Sequence, residues 1–223
     1  MTWVLANLGQ IWRLTLDHIA LSVPPILLGF LIAVPLGWIA HRYKPSRGVL
    51  LTAGGLLYTI PGIALFLSLP PILGTRILDP VNVVVGMTIY AVALLVRTAA
   101  DAFDAVSGDV RQSSVAVGYG PVRRFFEVEL PLAGPVLLSG LRVVSASTVS
   151  LVSIGSLIGV SSLGYFFLNG LNRRFPTEIV TGIIGVIVIA VVFDLVLVLI
   201  GRLLLPWAHL ARQRERRGRG VAA

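Results

Sequence analysis

The sequence predicts an all-α polytopic membrane protein, with about five transmembrane helices preceded by an interfacial helix. Three observations predict it. Of the 223 residues, 56% are hydrophobic and 13% charged, a balance outside that of soluble domains. The charges gather in short islands, and the uncharged runs between them approach 20 residues, enough at about 1.5 Å per residue to cross ~30 Å of hydrocarbon. The polar stretches are all shorter than the roughly 50 residues of a small domain. The chain therefore reads as one transmembrane domain over 1–223, with no room for a soluble catalytic domain and no catalytic residue set. The absence of cysteine excludes disulfides and thiolate metal sites, and no other metal set emerges.

Residues 1–17 mix Trp3, Trp12, Arg13 and Asp17 with apolar residues. They lack the basic start, apolar run and cleavage site of a secretory signal. They predict an interfacial helix with its Trp rings at headgroup depth. Residues 20–40 form the first span, kinked by Pro24, Pro25 and Pro35. A basic loop over 41–48 follows. The uncharged run 49–75 is longer than one span requires and predicts a break around Tyr58 to Gly62. Tyr58, Thr59 and Pro61 are candidates to line a path there, because an interrupted membrane helix often borders a cavity; a packing kink is the other reading.

After a turn at 76–80, the third span covers 81–95 and reaches Arg97 and Thr98. Asp101, Asp104 and Asp109 follow it. Without a Gly-turn loop or a His cluster they read as a solvated helical face rather than as cation ligands. Residues 112–135, QSSVAVGYGPVRRFFEVELPLAGP, are a polar island which, with Arg111, carries Arg123, Arg124, Glu127 and Glu129. A charged side chain at a bilayer centre costs roughly 2.5–3.5 kcal/mol, so the island lies in water between two spans. Gly118 and Gly120 before Pro121 end a helix. VRRFFEV, residues 122–128, starts a second short one, with Phe125 and Phe126 as a docking knob among charges.

The fourth span, 136–160, is rich in hydroxyls: Ser145, Ser147, Thr148, Ser150, Ser153 and Ser156. Positions 147, 150, 153 and 156 step by roughly 60° and spiral over about half the helix surface. That pattern fits a helix enclosed by others, with the hydroxyls as packing glue, or a helix facing an aqueous path lined by Ser145, Thr148, Ser153 and Ser156. Gly155 and Gly159 form a small-xxx-small pair for close helix contact. A polar, aromatic connector over 161–177 leads to the last span, 179–200. A basic tail from about 202 to 223 holds Arg202, Arg212, Arg214, Arg216, Arg217 and Arg219.

Five spans put alternate loops on alternate sides. One side collects Arg42, Lys44, Arg47, Arg97, Arg111, Arg123, Arg124 and the six tail arginines, thirteen cations against Arg13, Arg76, Arg173 and Arg174 on the other. That bias assigns the polar island and C-terminus to the cytoplasm and the N-terminus to the outside. Topology and anionic membrane lipid account for the net charge of +8, so no nucleic-acid partner is called for. Arg142 and Asp194 fall inside spans. Intramembrane charges of opposite sign on different helices suggest an ion pair, the other reading being an Arg142 in a helix extension and an Asp194 that snorkels or meets a backbone donor.

The spacing within the island resembles the signature loop of ABC importer permeases: Glu-Ala-Ala, three residues, Gly, nine residues, an aliphatic residue, any residue, then Leu-Pro. Gly118, Val128, Leu130 and Pro131 match, whereas Gln112, Ser113 and Ser114 replace the triad. Three further segments resemble the permeases that import glycine betaine, choline, carnitine and proline. They are TIPGIALF from Thr59 to Phe66, with Gly62 for Ser; ALLVRTAADAFDAV before the island; and the connector with Leu163, Gly164, Tyr165 and Gly170. The resemblance covers roughly residues 58–207.

The resemblance implies the type I ABC importer permease fold in the cytoplasmic membrane of a prokaryote. A cytoplasmic coupling loop, about 101–130, would dock into a groove on a separate ATPase. Its interface residues would be Gln112, Ser113, Ser114, Gly118, Tyr119, Phe125, Phe126, Val128, Leu130 and Pro131, with Leu130 and Pro131 setting the angle of the fourth helix. The implied partners are cytoplasmic ATPase subunits, a second permease chain, identical or paralogous, and an extracytoplasmic solute-binding protein. No G-x-x-x-x-G-K-[ST] occurs, so ATP and Mg²⁺ belong to the ATPase and this chain carries no cofactor. The cargo would be a compatible solute of the glycine betaine, choline, carnitine or proline type. The rival readings are a stand-alone secondary transporter or channel, with Arg142 and Asp194 as coupling charges, and a scaffold without transport. Neither needs the spacing from Gly118 to Pro131.

Overall fold

In hydrocarbon every backbone polar group must be satisfied within its own segment, which leaves helices as the means for a single chain of this kind to cross. The structure, a computed structural model, describes residues 2–207, and among these it contains helices and no strand. Arg212, Arg214, Arg216, Arg217 and Arg219 lie outside the described residues.

Helix α1 (Thr2–Ala6) stops at Asn7, whose side-chain amide donates back to the Trp3 carbonyl at 2.8 Å. Helix α2 (Leu8–Arg42) then runs unbroken for 35 residues, roughly 52 Å at 1.5 Å per residue. The helix expected over 1–17 as an interfacial lead into the membrane is broken once, at Asn7, and from Leu8 onward is continuous with the first span. Its second half is the start of the first span, because Leu14 and His18 are buried and the His18 Nε2 hydrogen-bonds the Val149 carbonyl at 2.8 Å. Trp3 also turns inward, edge-on to Phe166 and Phe175 at 5.9 and 5.6 Å.

Helices α3 (Lys44–Thr59) and α4 (Gly62–Leu73) meet at an angle of 104°. Pro61 has no N–H to continue the ladder and drives Ile60 into the extended region, ψ 127°. The break expected around Tyr58 to Gly62 is thus a right-angle bend. The Ile60 carbonyl that it frees accepts the Tyr90 hydroxyl, and the Tyr58 ring lies edge-on to Tyr90 at 5.6 Å.

Helix α5 (Pro80–Asp104) is the central span, packed against α2, α3 and α4. Small residues let α2 and α5 approach closely. A Cβ built on Gly37 would lie 2.4 Å from that of Ala99 and 2.8 Å from the Ala100 backbone nitrogen. Gly37→Val is accordingly expected to cost about 1–3 kcal/mol through overpacking. The check is a lowered midpoint of heat-induced aggregation in detergent, against an unchanged midpoint for Gly55→Val, where a Cβ meets nothing within 4 Å.

Helix α6 (Gly108–Ala116) and the short α7 (Pro121–Arg124) precede a π-helical turn, Phe125–Glu129, and α8 (Leu130–Val152). The second short helix expected over 122–128 is not separate: it continues into the span. The wide turn, in which the Leu130 N–H reaches the Phe125 carbonyl, accommodates Pro131, whose ring cannot sit against the carbonyl four residues back. Helix α8 ends in a 3₁₀ turn, Ser153–Ile158, closed by Gly159 at φ +85°. Gly155 packs beside Val83 of α5, but Gly159 is a helix terminator and not the second member of a small-xxx-small contact. The connector forms α9 (Tyr165–Asn172), and α10 (Pro176–Leu204) packs on α8 and α9 with most of its surface open. Among the described residues four helices are long and apolar enough to cross a membrane, or five crossings with the bent α3–α4 pair counted as one.

Candidate coupling surface

Helix α6 stands apart from the spans at the end of the bundle where α5 stops. Ser107 caps it, its hydroxyl accepting the Asp109 N–H at 3.3 Å. A two-bond stop ends it: the Tyr119 N–H reaches the Ser114 carbonyl at 3.0 Å and the Gly118 N–H reaches Val115 at 2.9 Å. Gly118 has φ +91°, a conformation that side-chain-bearing residues resist, and a Cβ there would touch nothing. The constraint at Gly118 is therefore in the backbone. It sets the direction in which the chain leaves α6.

Gln112 and Ser113 are exposed on α6, whereas Ser114 is buried with its hydroxyl donating to the Arg111 carbonyl at 2.7 Å. Tyr119 is half-buried beneath the Arg123 guanidinium, which lies 4.4 Å from the ring centre. The two expected knob residues separate. Phe125 packs edge-on to Trp38 at 5.4 Å and against Phe103, while Phe126 is 61% exposed. Val128, Leu130 and Pro131 are half-buried at the root of α8.

Beneath α6 lies a group that sequence reasoning missed. Glu129 was expected in water with the rest of the island but is 3% exposed. Its carboxylate accepts the Trp38 Nε1–H at 2.7 Å and the Arg124 Nε–H at 3.0 Å, and Arg111 Nε stands 3.7 Å away. Arg111 also donates to the Phe103 carbonyl. One carboxylate therefore ties α6, α7 and α2 to α8. The available signal was a spacing of four that places Glu129 in one stripe with Phe125, Ala133 and Leu137. Nearby, Arg47 bridges Asp101 at 2.9 Å and Asp104 at 2.6 Å, and His41 also meets Asp104. These aspartates face solvent, yet they also clamp the α2–α3 turn to the end of α5.

The path candidates are not gathered into one cavity. Tyr58, Thr59 and Pro61 sit exposed at the bend, with the Thr59 hydroxyl donating to the Leu56 carbonyl at 2.7 Å. Ser145 and Thr148 are buried. The hydroxyls of Ser145 and Ser153 have no hydrogen-bond partner among the described residues. Ser156 bonds Ser162 at 2.7 Å and borders a hollow of ≈ 220 Å³, with Gln10, Arg13 and Tyr165, at the end away from α6. Arg142 and Asp194 form a two-point pair between α8 and α10, Nε to Oδ1 at 2.6 Å and Nη2 to Oδ2 at 2.7 Å.

Residues 19–209, which contain all of these groups except Gln10 and Arg13, match the family described as binding-protein-dependent transport system inner membrane component. The chain belongs to this family. It is a multi-pass inner-membrane permease of the ABC importer type. Among its relatives, the choline transport system permease protein OpuBB of Bacillus subtilis (strain 168) is 31% identical over 209 residues, covering 94% of both chains. The osmoprotectant import permease protein OsmW of Salmonella typhimurium is 30% identical over 197 residues, 86% of this chain and 90% of the other. The permease also shares its fold with a chain of the MetNI methionine ABC transporter in an inward-facing conformation. The TM-score is 0.71 at 20% identity, covering 86% of this chain and 96% of that one.

Proposed function

We propose that the permease carries a small compatible solute, of the quaternary ammonium type, inward across the cytoplasmic membrane, driven by ATP hydrolysed on a separate subunit. The observation that carries this reading is α6: a short helix outside the spans, with a solvent-facing rim of Gln112, Ser113, Val115 and Val117, yet rooted in the bundle through Arg111, Arg124 and Glu129. A force applied to α6 passes to α8 and α2 through that root. Phe126 extends the same rim. The names of the relatives, choline and osmoprotectant transport, support the solute class.

The orientation follows from the excess of Lys and Arg at the α6 end, which faces the cytoplasm, with the N-terminus outside. Two such chains, identical or paralogous, enclose the path. An extracytoplasmic binding protein delivers the solute, and two ATPase subunits close on the paired α6 helices. The bend at Tyr58 to Pro61 and the hydroxyls of α8 are the candidate path and gate. Arg142 and Asp194 act structurally here: the two-point pair neutralises the aspartate and joins α8 to α10.

The test is reconstitution with the candidate ATPase. Native permease is expected to retain the ATPase through purification and to support ATP-dependent uptake of labelled choline or glycine betaine in proteoliposomes. Gly118→Val places a β-branched residue where the backbone strain is about 1–2 kcal/mol or more. It is expected to release the ATPase while the membrane protein elutes as a single folded species. No ATPase retained by native permease in any nucleotide state would rule the reading out.

A further inference from the structure

Helix α8 changes form at the end away from α6, its outer end in the orientation proposed above, and the partner it needs there comes from α2. In a continuing α-helix the Val149 carbonyl accepts the N–H four residues on, at Ser153. Here the Ser153 N–H turns to the Ser150 carbonyl, the shorter step of the 3₁₀ turn Ser153–Ile158. The Val149 carbonyl is met instead by His18 Nε2 at 2.8 Å, in a ring with no exposed surface. A carbonyl only accepts, so Nε2 carries the proton, and Nδ1 is an acceptor without a partner among the described residues. Beyond this bond lies the hollow of ≈ 220 Å³, bounded by Gln10, Arg13 and Leu14 from the preceding turns of α2 and by Ser156 and Gly159 at the 3₁₀ turn. The turn is seated closely on the connector. A Cβ built on Gly164 would lie 2.1 Å from the Ser153 carbonyl oxygen, and the Ser156 hydroxyl bonds that of Ser162 at 2.7 Å.

We propose that His18 is a positioning residue for transport: it caps the Val149 carbonyl from α2, fixes the 3₁₀ form of the outer turn of α8, and thereby sets where Ser156 and the mouth of the hollow point. The inference rests on the reading of the α8 hydroxyls as path and gate. A carbonyl buried in a span must find a donor in the protein. Without His18 the nearest donor is the Ser153 N–H, and recruiting it returns the turn to α-helix. A 3₁₀ residue advances by about 120° and an α residue by about 100°. By Ser156, the fourth residue of the turn, the side-chain direction changes by roughly 80°. That rotation takes the Ser153 carbonyl off its seat on Gly164 and parts Ser156 from Ser162. One N–H from α2 therefore selects between two shapes of the outer mouth.

The experiment separates the donor from the bulk of the ring. Gln and Met side chains are similar in length, and of the two only Gln carries an N–H to replace that of His18 Nε2. The protein has no cysteine, so Ser161→Cys, at an exposed position beside the hollow, is a single reporter for a membrane-impermeant maleimide. Labelling rate, ATPase retention and maximal ATP-driven uptake of labelled choline or glycine betaine are compared for native His18, His18→Gln and His18→Met. His18→Met is expected to change the labelling rate severalfold and to lower maximal uptake about tenfold, the size of one buried hydrogen bond, with ATPase retention unchanged. His18→Gln is expected to restore both. Native labelling and uptake in His18→Met would show that the bond sets nothing, and equal changes in the two variants would show that bulk matters and the N–H does not; either overturns the proposal. A His18→Met protein that fails to fold, with or without a folded His18→Gln, makes the ring a purely structural group and overturns it as well. Native permease without ATP-driven uptake overturns the proposed function, a separate result, because labelling at Ser161→Cys reads the outer turn without transport.

Discussion

Glu129→Ala is expected to give the largest single loss in the permease. The substitution leaves the Arg124 guanidinium, itself buried, without its carboxylate, and leaves the Trp38 Nε1–H without an acceptor. Removing one partner of a buried ion pair costs about 3–5 kcal/mol, because the desolvated charge that stays behind is uncompensated. An orphaned buried donor adds about 1–3 kcal/mol. Glu129→Gln keeps an acceptor for Trp38 but loses the charge, and is expected to fall between native and Glu129→Ala. Adding Arg124→Gln to Glu129→Gln removes the unpaired charge and should recover part of the loss. The check is heat-induced aggregation of purified protein together with ATPase retention. ATPase retention is expected to fail at temperatures where the spans remain folded, since α6 loses its root before the bundle does. A Glu129→Ala protein with native heat stability and native ATPase retention would show that the carboxylate does not hold α6.

The sequence made the spans legible because burial in lipid is written into composition: long uncharged runs must be helices, and charged islands must lie between them. The helix stop at Gly118 was legible for a local reason, as Gly118 and Gly120 ahead of Pro121 leave the helix little way to continue. What could not be read was how the islands fold back on the bundle. Glu129 sits in a charged stretch, and its enclosure depends on Trp38, 91 residues away in sequence. The N-terminal segment looked interfacial because it carries Trp3, Arg13 and Asp17. Its inward face is fixed by contacts to Phe166, Phe175 and Val149, which no local pattern reveals. The junction at Leu130 and Pro131 misled in a different way. Proline usually breaks a helix, but one wide turn absorbs it and joins α7 to α8.

The second large effect is expected at Arg142 and Asp194, and it should be unequal between them. Arg142 lies near the middle of α8 and Asp194 in the inner part of α10, so each neutral variant strands the other charge within the apolar stretch of a span. A stranded arginine has a long apolar stem and can extend toward water, whereas a stranded aspartate cannot. Arg142→Leu is therefore expected to lower expression and heat stability more than Asp194→Leu. The double variant Arg142→Leu/Asp194→Leu should recover much of the loss, because replacing an entire ion pair with apolar groups removes the desolvation cost of both charges. Additive losses in the double variant, with no recovery, would show that the two groups do not act on one another. Uptake by the double variant then separates structure from mechanism. A pair that only pins α10 against α8 predicts a stable double variant that still transports. A stable double variant that binds its ATPase but moves no solute would mean that the pair opens during the transport cycle, and would move Asp194 from the scaffold of the permease to its path.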